Sequence, residues 1–480
     1  MDSCPLCLDM CHEWKGFWWL PDNPGKRISG VLKFNPKNGL TLSLSFPSGD
    51  SFSCPSSRWE VLYGEIDGLK LTLFDCFPNS PKPEALVGYM EGNALQLKVK
   101  IGRALINSHC EIDASFRFAE FSVAGLDEWV GMLTAGGASR PADLAEVEIR
   151  EEGEQGIKAN DKPVVYDLSF RCISSPGDQD GEGVYLRASS SKGLTLEEVI
   201  ENVRLVQELM AFALQDTLDV NWVRLGTGSS LDRKSCSRID LLYSSSLNGN
   251  DGIRYLKGEI PFFTCEHLSF ERLVPQWYDI RYRLSEAINM VMSLHYAPSP
   301  YVESNLLMVV GAAEVLHRRL GIHNRIIPIS NRRFRKMRRV MLDKVFKEYG
   351  EYKDRLRESI SIRNEPILKD RLLDLAERLD PKMIDLLCLD IGHWAQRTTK
   401  VRNNLTHEGK ACEFSLEELD AIVEVTRAVV VLNLLKELDL SSDRQQEIVR
   451  EHPQFCRTAR LAKEYLAGGS KGRTAIEEGA

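Results

Sequence analysis

The stretch Asn38-Gly39-Leu40-Thr41-Leu42-Ser43-Leu44-Ser45-Phe46 decides the fold of the first half of this chain. Asn-Gly is a strong hairpin signal, because both residue types tolerate the positive φ of a tight turn. The leucines and the phenylalanine then alternate with polar residues, and a period of two is typical of a strand with one buried face. Asp67-Gly68 repeats the turn before a second alternating run that starts at Leu69. The sequence therefore predicts antiparallel hairpins.

Strand signals of this kind run from about Trp14 to Ser191, and they predict an antiparallel sandwich or a barrel-like domain. One helix is predicted from Leu196 to Leu214, and strand-like pieces follow near 239–243 and from Ile253 to Phe263. From Ser269 to about Leu466 the apolar spacing is helical. The predicted fold class is α+β and multidomain, with an antiparallel β-rich N-terminal domain followed by an all-α helical bundle.

Composition describes an ordinary globular protein without a membrane segment. The 480 residues are 43% hydrophobic and 27% charged, and a chain of this length is expected to form two or three domains. The start, Met1-Asp2-Ser3-Cys4, does not resemble a signal peptide. The most apolar helical run, Ala421 to Leu438, contains charged residues at Glu424 and Arg427. Twelve cysteines without an export signal indicate free thiols in a reducing compartment, so a cytoplasmic location is expected.

The segment from Arg402 to His407 has the composition needed to cleave RNA without a metal. Histidine exchanges protons near neutral pH, and arginine presents a fixed charge to a phosphate in its transition state. Helical sequence on both sides predicts that the two residues lie near the end of one helix, with Ser415 and Glu418 forming a capping box for the next. The same spacing from Arg318 to His323 is interrupted by Gly321, which predicts a fraying helix end.

The predicted roles follow from the residue types. Arg402 holds the scissile phosphate, and His407 takes a proton from the ribose 2′-hydroxyl or gives one to the departing 5′-oxygen. Asn403 orients the substrate or the histidine through hydrogen bonds. Glu314, on a predicted helix from Leu306 to Leu320, is either a polar partner of Arg402 or a surface carboxylate. No cofactor is expected for this catalysis.

A dense basic block lies between His317 and Lys347 and is opposed only by Asp343, although the net charge of the chain is −8. Such a block predicts a binding surface for a phosphate backbone. The alternative is a solvated helix face that pairs with acidic neighbours such as Glu351, Asp354 and Glu358. We favour RNA binding through Arg332, Arg333, Arg335, Lys336, Arg338 and Arg339.

The N-terminal cysteines predict a small structural zinc site. Cys4 and Cys7 have the two-residue gap by which a turn directs two thiolates at one ion, and Cys11 follows. The alternative is an N-terminal segment with incidental cysteines, since no second paired motif is present. No helical His-Glu pattern accompanies the cysteines, so a catalytic zinc is not predicted.

Two parts of the sequence resemble known families. Arg402-Asn403 followed by His407 resembles the signature of HEPN ribonucleases, which are small helical bundles of toxins and antiviral effectors. Gly16-Phe17-Trp18-Trp19-Leu20-Pro21, with the run from Ile28 to Phe34, resembles the start of the ApeA family of anti-phage abortive-infection proteins. The resemblance implies a bacterial endoribonuclease that cleaves host or phage RNA, transfer RNA among the candidates, to a 2′,3′-cyclic phosphate.

The resemblance also implies partners and an organisation. The active site would be assembled from two protomers, as a homodimer or a higher homo-oligomer through the HEPN domain. The N-terminal region would act as a sensor or restraint that responds to a phage protein. The alternatives are a non-enzymatic adaptor that binds RNA or nucleotide, and a zinc-dependent regulator. The predicted domains are a zinc knuckle at 1–13, an ApeA-like sensor region at 14–268, a HEPN domain at 269–467 and a disordered tail at 468–480.

Overall fold

A computed structural model divides the chain into two compact units, Met1–Tyr282 and Arg283–Ala480. The structure describes residues 4–47, 58–79, 94–131, 143–150, 158–159, 162–163, 167–174, 184–227, 238–244, 260–322, 330–352, 365–411 and 413–467.

The first unit begins with an antiparallel barrel. Its strands are hydrogen-bonded in the order β3-β2-β1-β4-β5-β6, and β3 also pairs with β6, which closes the ring. Closure removes the free strand edges that an open sheet would expose. The strands are β1 His12–Trp19, β2 Ile28–Asn35, β3 Gly39–Pro47, β4 Trp59–Ile66, β5 Leu69–Pro78 and β6 Ala94–Ile106.

The two hairpins predicted from Asn38-Gly39 and Asp67-Gly68 are present, but they use different turns. Asp67 and Gly68 both have positive φ and form a two-residue turn between Ile66 and Leu69. In the first hairpin Asn35 pairs with Gly39, so three residues form the loop and Gly39 supplies the left-handed conformation at φ 72°. Asparagine 38 is therefore a loop residue, and the glycine alone carries the unusual backbone angle.

Side chains fill the barrel, so it is a packed core. Leu42, Leu44 and Leu62 are fully buried, and Trp18 contributes the largest buried ring of the early strands. Glycines make room for this ring. A Cβ atom on Gly30 would lie 2.9 Å from Cδ1 of Trp18, and one on Gly64 would collide with the six-membered part of the same ring.

Strand β6 belongs to the barrel and to the sheet that continues from it. Residues 94–101 of β6 pair with β3, while Arg103–Ile106 pair with β14. Between these segments Gly102 faces Asp75, which has φ 54° and interrupts the pairing of β5 with its neighbours. A Cβ atom on Gly102 would lie 2.8 Å from Cβ of Asp75, so only a glycine fits opposite Asp75 at the point where β6 changes partners.

The continuing sheet has the order β6-β14-β13-β7-β12-β11-β8. Helix α2 packs on one face, and a complete capping box of Thr195 and Glu198 starts it. The N-terminal segment is anchored beside β13, where the Leu8 amide donates to the Asn221 carbonyl at 2.7 Å. The elements are β7 Ser115–Val123, α1 Leu126–Val130, β8 Asp143–Arg150, β9 Lys158–Ala159, β10 Lys162–Pro163, β11 Asp167–Ser174, β12 Val184–Thr195, α2 Leu196–Leu214, β13 Val220–Gly226, β14 Arg238–Tyr243 and α3 Phe270–Arg283.

Helix α3 packs on α2 through buried polar contacts. The Trp277 indole donates to the Leu205 carbonyl at 2.8 Å, and the Tyr278 hydroxyl donates to Asn202 at 2.6 Å. Just before α3, residues 260–263 form no strand, which contradicts the strand expected from Ile253 to Phe263 in its described part. Phe262 and Phe263 are instead buried against Phe212 of α2, because their apolar rings cover a helix and do not extend a sheet.

The second unit is helical. Helix α10 is its centre, since most of its residues are buried and α5, α12 and α7 pack on it. The helices are α4 Ser285–Tyr296, α5 Val302–Leu320, α6 Asn331–Glu348, α7 Leu368–Glu377, α8 Pro381–Leu387, α9 Ile391–His407, α10 Leu416–Glu437, α11 Ser442–Glu451 and α12 Pro453–Tyr465, with a 3-10 turn at Gly350–Tyr352. Within the described ranges, none of the helices has the length and apolarity to span a bilayer.

The predicted fold class is confirmed. A β-rich antiparallel region precedes a helical region, and the helix predicted from Leu196 to Leu214 has those bounds. Of the two alternatives, the pairing of β3 with β6 shows a barrel for β1 to β6, whereas β7, β8, β11 and β12, which lie in the same predicted range, belong to the continuing sheet. The compact division places α3 with the first unit, and the predicted domain boundaries stay predictions. The predicted tail at 468–480 lies outside the described residues.

We expect Gly64→Ala to destabilise the barrel by about 1–3 kcal/mol, because the added methyl group overpacks against the buried Trp18 ring. Urea unfolding followed by tryptophan fluorescence measures the loss. Gly25→Ala is the matched control, since a Cβ atom there meets nothing within 4 Å. Equal stability of the two variants would contradict the packing described for Trp18.

Candidate functional site

Helix α9 fixes the position of the Arg402–His407 segment. The Asp390 side chain caps the helix by accepting from the His393 amide at 2.8 Å. Trp394 is fully buried and donates to the Thr426 hydroxyl of α10 at 3.2 Å, which anchors the first half of the helix. The helix ends at His407, and Gly409 follows with φ 67°. The prediction that both residues lie near the end of one helix is therefore correct.

The Arg402 side chain makes two polar contacts with other described residues. Its Nη2 atom lies 3.5 Å from Oε2 of Glu314, and its Nη1 atom donates to Oδ1 of Asn403 at 3.3 Å. The side chains of Arg402 and Glu314 are 32% and 28% exposed, so solvent reaches the ion pair. Of the two interpretations of Glu314, the structure supports the polar partner of Arg402. Asn403 contacts the arginine, and no hydrogen bond joins it to His407 among the described residues.

His407 is the last residue of α9 and is exposed. Its ring makes no hydrogen bond or ion pair with any other described residue. Five residues of an α-helix turn the chain by about 140° and advance it by about 7.5 Å, so His407 and Arg402 project in different directions. Within one chain the two groups do not form a pair, and each remains accessible to a ligand.

Three other described histidines of the helical unit, His295, His317 and His452, are less suited to proton transfer, and His393 is half-buried near the start of α9. His317 is buried, and its Nε2 atom lies 3.0 Å from Oδ2 of the buried Asp374. Burial, reinforced by the nearby Arg427 charge, lowers the pKa of His295 and of His452 to about 4. Both rings therefore stay uncharged near neutral pH. Among the described histidines of this unit, His407 is the exposed one.

Glu314 is held in place by α5 and α7. Helix α5 buries Val310, Ala313 and His317, which turns Glu314 toward the half-exposed side of the helix. The main-chain carbonyl of Glu314 accepts from Nη1 of the buried Arg371 at 3.5 Å. Arg371 also donates to Glu365 at 2.8 Å, so the same side chain links α5 to the segment before α7.

A second cluster supports the middle of α9. Arg397 binds the Glu418 carboxylate through two nitrogens, at 2.5 and 2.9 Å, and its guanidinium lies 4.0 Å from the centre of the Phe414 ring. The predicted capping box at Ser415 and Glu418 is therefore half formed. The Ser415 hydroxyl accepts from the Glu418 amide at 3.1 Å, but the Glu418 carboxylate binds Arg397 and does not return to the cap.

Sequence reasoning missed Arg371, and it considered Arg318 as part of the basic block and of an interrupted Arg-His spacing, not as a neighbour of Glu314. A signal for Arg371 was present, because it lies on the apolar stripe of Leu368, Leu372 and Leu375, where a buried partner is expected. Arg318 is exposed in the last turn of α5, which ends at Leu320 as the glycine predicts. His323, its counterpart in the chance match, lies outside the described residues.

Helix α6 carries the basic block on an exposed surface. Arg332, Arg333, Arg335, Lys336 and Arg339 are exposed, and Arg338 is partly exposed. None of these six side chains forms an ion pair with a described residue. Glu351 is described and does not pair with them, whereas the proposed acidic partners at 354 and 358 lie outside the described residues. The apolar side chains Met337, Val340 and Met341 are exposed as well.

The N-terminal cysteines do not form a metal-binding group among the residues that the structure describes, where no cluster of three or more potential ligands was found. Cys4 and Cys11 are exposed, and the Cys11 thiol accepts from the Asn35 amide at 3.5 Å. Burial and the nearby Asp9 carboxylate raise the pKa of Cys7. This geometry does not support the zinc site, which stays a prediction.

Comparison with protein families gives two matches. A model described as ApeA N-terminal domain 1 matches residues 13–277, and one described as Apea-like HEPN matches residues 307–444. The helical unit thus contains a HEPN domain, a nuclease-type helical domain. Because the first match covers more than half of the 480 residues, the chain belongs to the ApeA family. Comparison with curated proteins and with solved structures gave no match.

The family resemblance seen in the sequence is thereby confirmed at both ends of the chain. The HEPN match includes α9 with Arg402 and His407, α5 from Leu307 onward, and all of α6. Membership of the ApeA family connects the chain with anti-phage defence. The roles of individual residues, the substrate and the assembly are proposals.

Proposed function

We propose that this protein is a metal-independent endoribonuclease of an anti-phage abortive-infection system, with Arg402 and His407 as its catalytic residues. The proposal rests on the accessibility of both side chains. Arg402 is held by a solvent-exposed ion pair with Glu314 and a 3.3 Å contact with the exposed Asn403, and the His407 ring makes no polar contact among the described residues. Structural residues of the same unit, such as Arg371 and His317, are buried and bound on several sides.

The chemistry is a transfer within the RNA. The ribose 2′-hydroxyl loses its proton and attacks the adjacent phosphorus, the bond to the 5′-oxygen breaks, and that oxygen gains a proton. His407 either accepts the first proton or donates the second. Arg402 binds the phosphate oxygens, on which negative charge grows in the transition state. Asn403 orients the substrate or Arg402, and the products are a 2′,3′-cyclic phosphate and a 5′-hydroxyl. The RNA is of host or phage origin, and transfer RNA is one candidate.

The site is completed by a second copy of the chain. One His407 performs one proton transfer at a time, and it projects away from Arg402 on the same helix. Two copies related by a two-fold axis would place the histidine of each near the arginine of the other. An exposed leucine supports this arrangement, since Leu307 is 43% exposed and lies two turns before Glu314 on the same side of α5. Apolar surface beside a site favours association.

The basic residues of α6 bind the RNA backbone. Like charges at positions i and i+3 or i+4 destabilise a helix that has no counter-ions nearby. Arg332, Arg335 and Arg339 follow this spacing, and no described carboxylate neutralises them. A phosphate backbone supplies the missing charges and releases its own counter-ions. The β-rich unit is proposed to sense a phage protein and to restrain cleavage until then.

Arg402→Ala and His407→Ala should each reduce RNA cleavage by roughly 10²-fold or more, because each removes a transition-state contact or a proton carrier. Both side chains are at least partly exposed, so the unfolding midpoint should stay near that of the wild type. Sequencing of RNA ends with the purified protein in EDTA measures cleavage. His393→Ala, on the same helix, is the matched control and should stay active. Wild-type protein that binds RNA without cutting it would favour the adaptor interpretation instead.

Replacing Arg332, Arg333, Arg335 and Arg339 by glutamine should weaken RNA binding and flatten its dependence on salt. Each lost phosphate contact on a single strand lowers the slope of log K against log salt by about 0.7. Four glutamines in place of the exposed lysines Lys70, Lys98, Lys100 and Lys192 give a control with the same change of charge. If both variants kept the wild-type slope, α6 would be a solvated face and not an RNA-binding surface.

Wild-type chains mixed with an excess of His407→Ala chains should lose more activity than dilution alone predicts, because mixed pairs share a defective site. Activity is measured across mixing ratios after exchange of subunits, and light scattering gives the mass of the active species. A monomer with full activity would contradict the shared site, although the two residues would remain candidates within one chain.

A further inference from the structure

Glu314 lies between two arginines on the accessible side of the helical unit. Its carboxylate pairs with Arg402 at 3.5 Å. Arg318 follows four residues later on α5, about one helical turn and 6 Å along the axis, on the same side as Glu314. Arg318 is exposed, and its side chain forms no hydrogen bond or ion pair with another described residue. The Glu314 carboxylate thus binds the Arg402 guanidinium and has the Arg318 guanidinium as a second cation within reach.

The pair between Glu314 and Arg402 is weak. Close pairs of arginine and carboxylate have N–O distances of about 2.7–2.9 Å, as in the contacts of Arg371 with Glu365 and of Arg397 with Glu418 in this unit. The longer distance and the solvent exposure of both partners give the Arg402 pair the small strength of a surface ion pair. A phosphate can therefore displace the carboxylate from Arg402.

Displacement is opposed by electrostatic repulsion, because it leaves the negatively charged Glu314 carboxylate beside an anionic phosphate. The backbone of Glu314 is fixed by α5 and by the contact of its carbonyl with Arg371, so the carboxylate cannot move away from the phosphate by a shift of the backbone. Arg318, on the same helix, can neutralise the released carboxylate. A glutamate that precedes a cation by four residues has the favourable orientation for pairing on a helix surface. A change of side-chain rotamer is enough for the transfer.

We propose, on the basis of the proposed function, that Glu314 is a positioning residue that holds Arg402 in the resting protein and passes it to the substrate phosphate. Arg318 then receives the released carboxylate. The exchange keeps the catalytic guanidinium aligned before binding, and it places a cation next to Glu314 when the phosphate arrives. Arg318 acts on RNA through Glu314 and makes no phosphate contact of its own.

A double-mutant cycle tests the exchange. Binding is measured with an RNA whose riboses are 2′-O-methylated, which lacks the attacking hydroxyl and cannot be cleaved. Glu314→Gln removes the competing charge and should tighten the Kd about two- to fivefold, as expected for an exposed ion pair. Arg318→Ala should weaken the Kd by a similar factor in the wild-type background and have no effect in the Glu314→Gln background. With cleavable RNA, the changes should appear in KM.

Arg319→Ala is the matched control, since its guanidinium is adjacent in sequence but pairs with Glu286 of α4 at 2.5 Å. It should change the Kd little in either background. Equal weakening by Arg318→Ala in both backgrounds would show that Arg318 contacts RNA directly and would overturn the exchange, as would unchanged or weaker binding by Glu314→Gln. Wild-type protein that fails to cleave ordinary RNA would count against the proposed function, which is a separate readout from the coupling.

Discussion

The helical unit depends on the burial of α10. This helix is apolar on nearly all sides, and such a helix is stable in water only when other helices cover it. Helices α5 and α9 contribute to that cover, and their buried faces determine where their opposite faces point. Ala313 and Leu316 of α5 and Trp394 of α9 are buried, so Glu314 and Arg402 are left on the accessible side. The candidate site is a consequence of covering one hydrophobic helix.

The same arrangement separates structural charges from available ones. Arg371 and Arg397 each bind a carboxylate at short distance and stabilise the packing around them. Arg402 has a long contact, and Arg318 has no side-chain partner among the described residues. A buried charge needs a partner because its desolvation is costly, whereas an exposed one can exchange partners at little cost. The arginines proposed to act on RNA, directly or through Glu314, are therefore the exposed ones whose charge has a weak carboxylate partner or none among the described residues.

Local signals in the sequence predicted many of the strands and helices, whereas contacts between segments that are distant in the sequence could not be predicted from it. Period-two alternation located β3, and helical spacing gave α2 its observed bounds. Closure of the barrel could not be predicted. Strands β3 and β6 are far apart in the sequence and are not joined by a hairpin turn, so no local signal indicates that they pair or in which register. The capping box at Ser415 was only half right, since Arg397 takes the Glu418 carboxylate. Likewise, the contact of Arg402 with Glu314 joins residues far apart in the chain, and the sequence left it as one of two alternatives.

Strand β6 passes from the barrel into the adjoining sheet without a break, with Gly102 at the point of transfer. Most domain boundaries fall in linkers that few contacts cross, and such linkers allow recombination to move a domain into another protein. This barrel has no such boundary on the side of β6, because removal of the barrel would also remove β6, which is a hydrogen-bonded neighbour of β14. Excision of the barrel would therefore leave an unpaired strand edge on the sheet, so the barrel is not separable from it as an independent module.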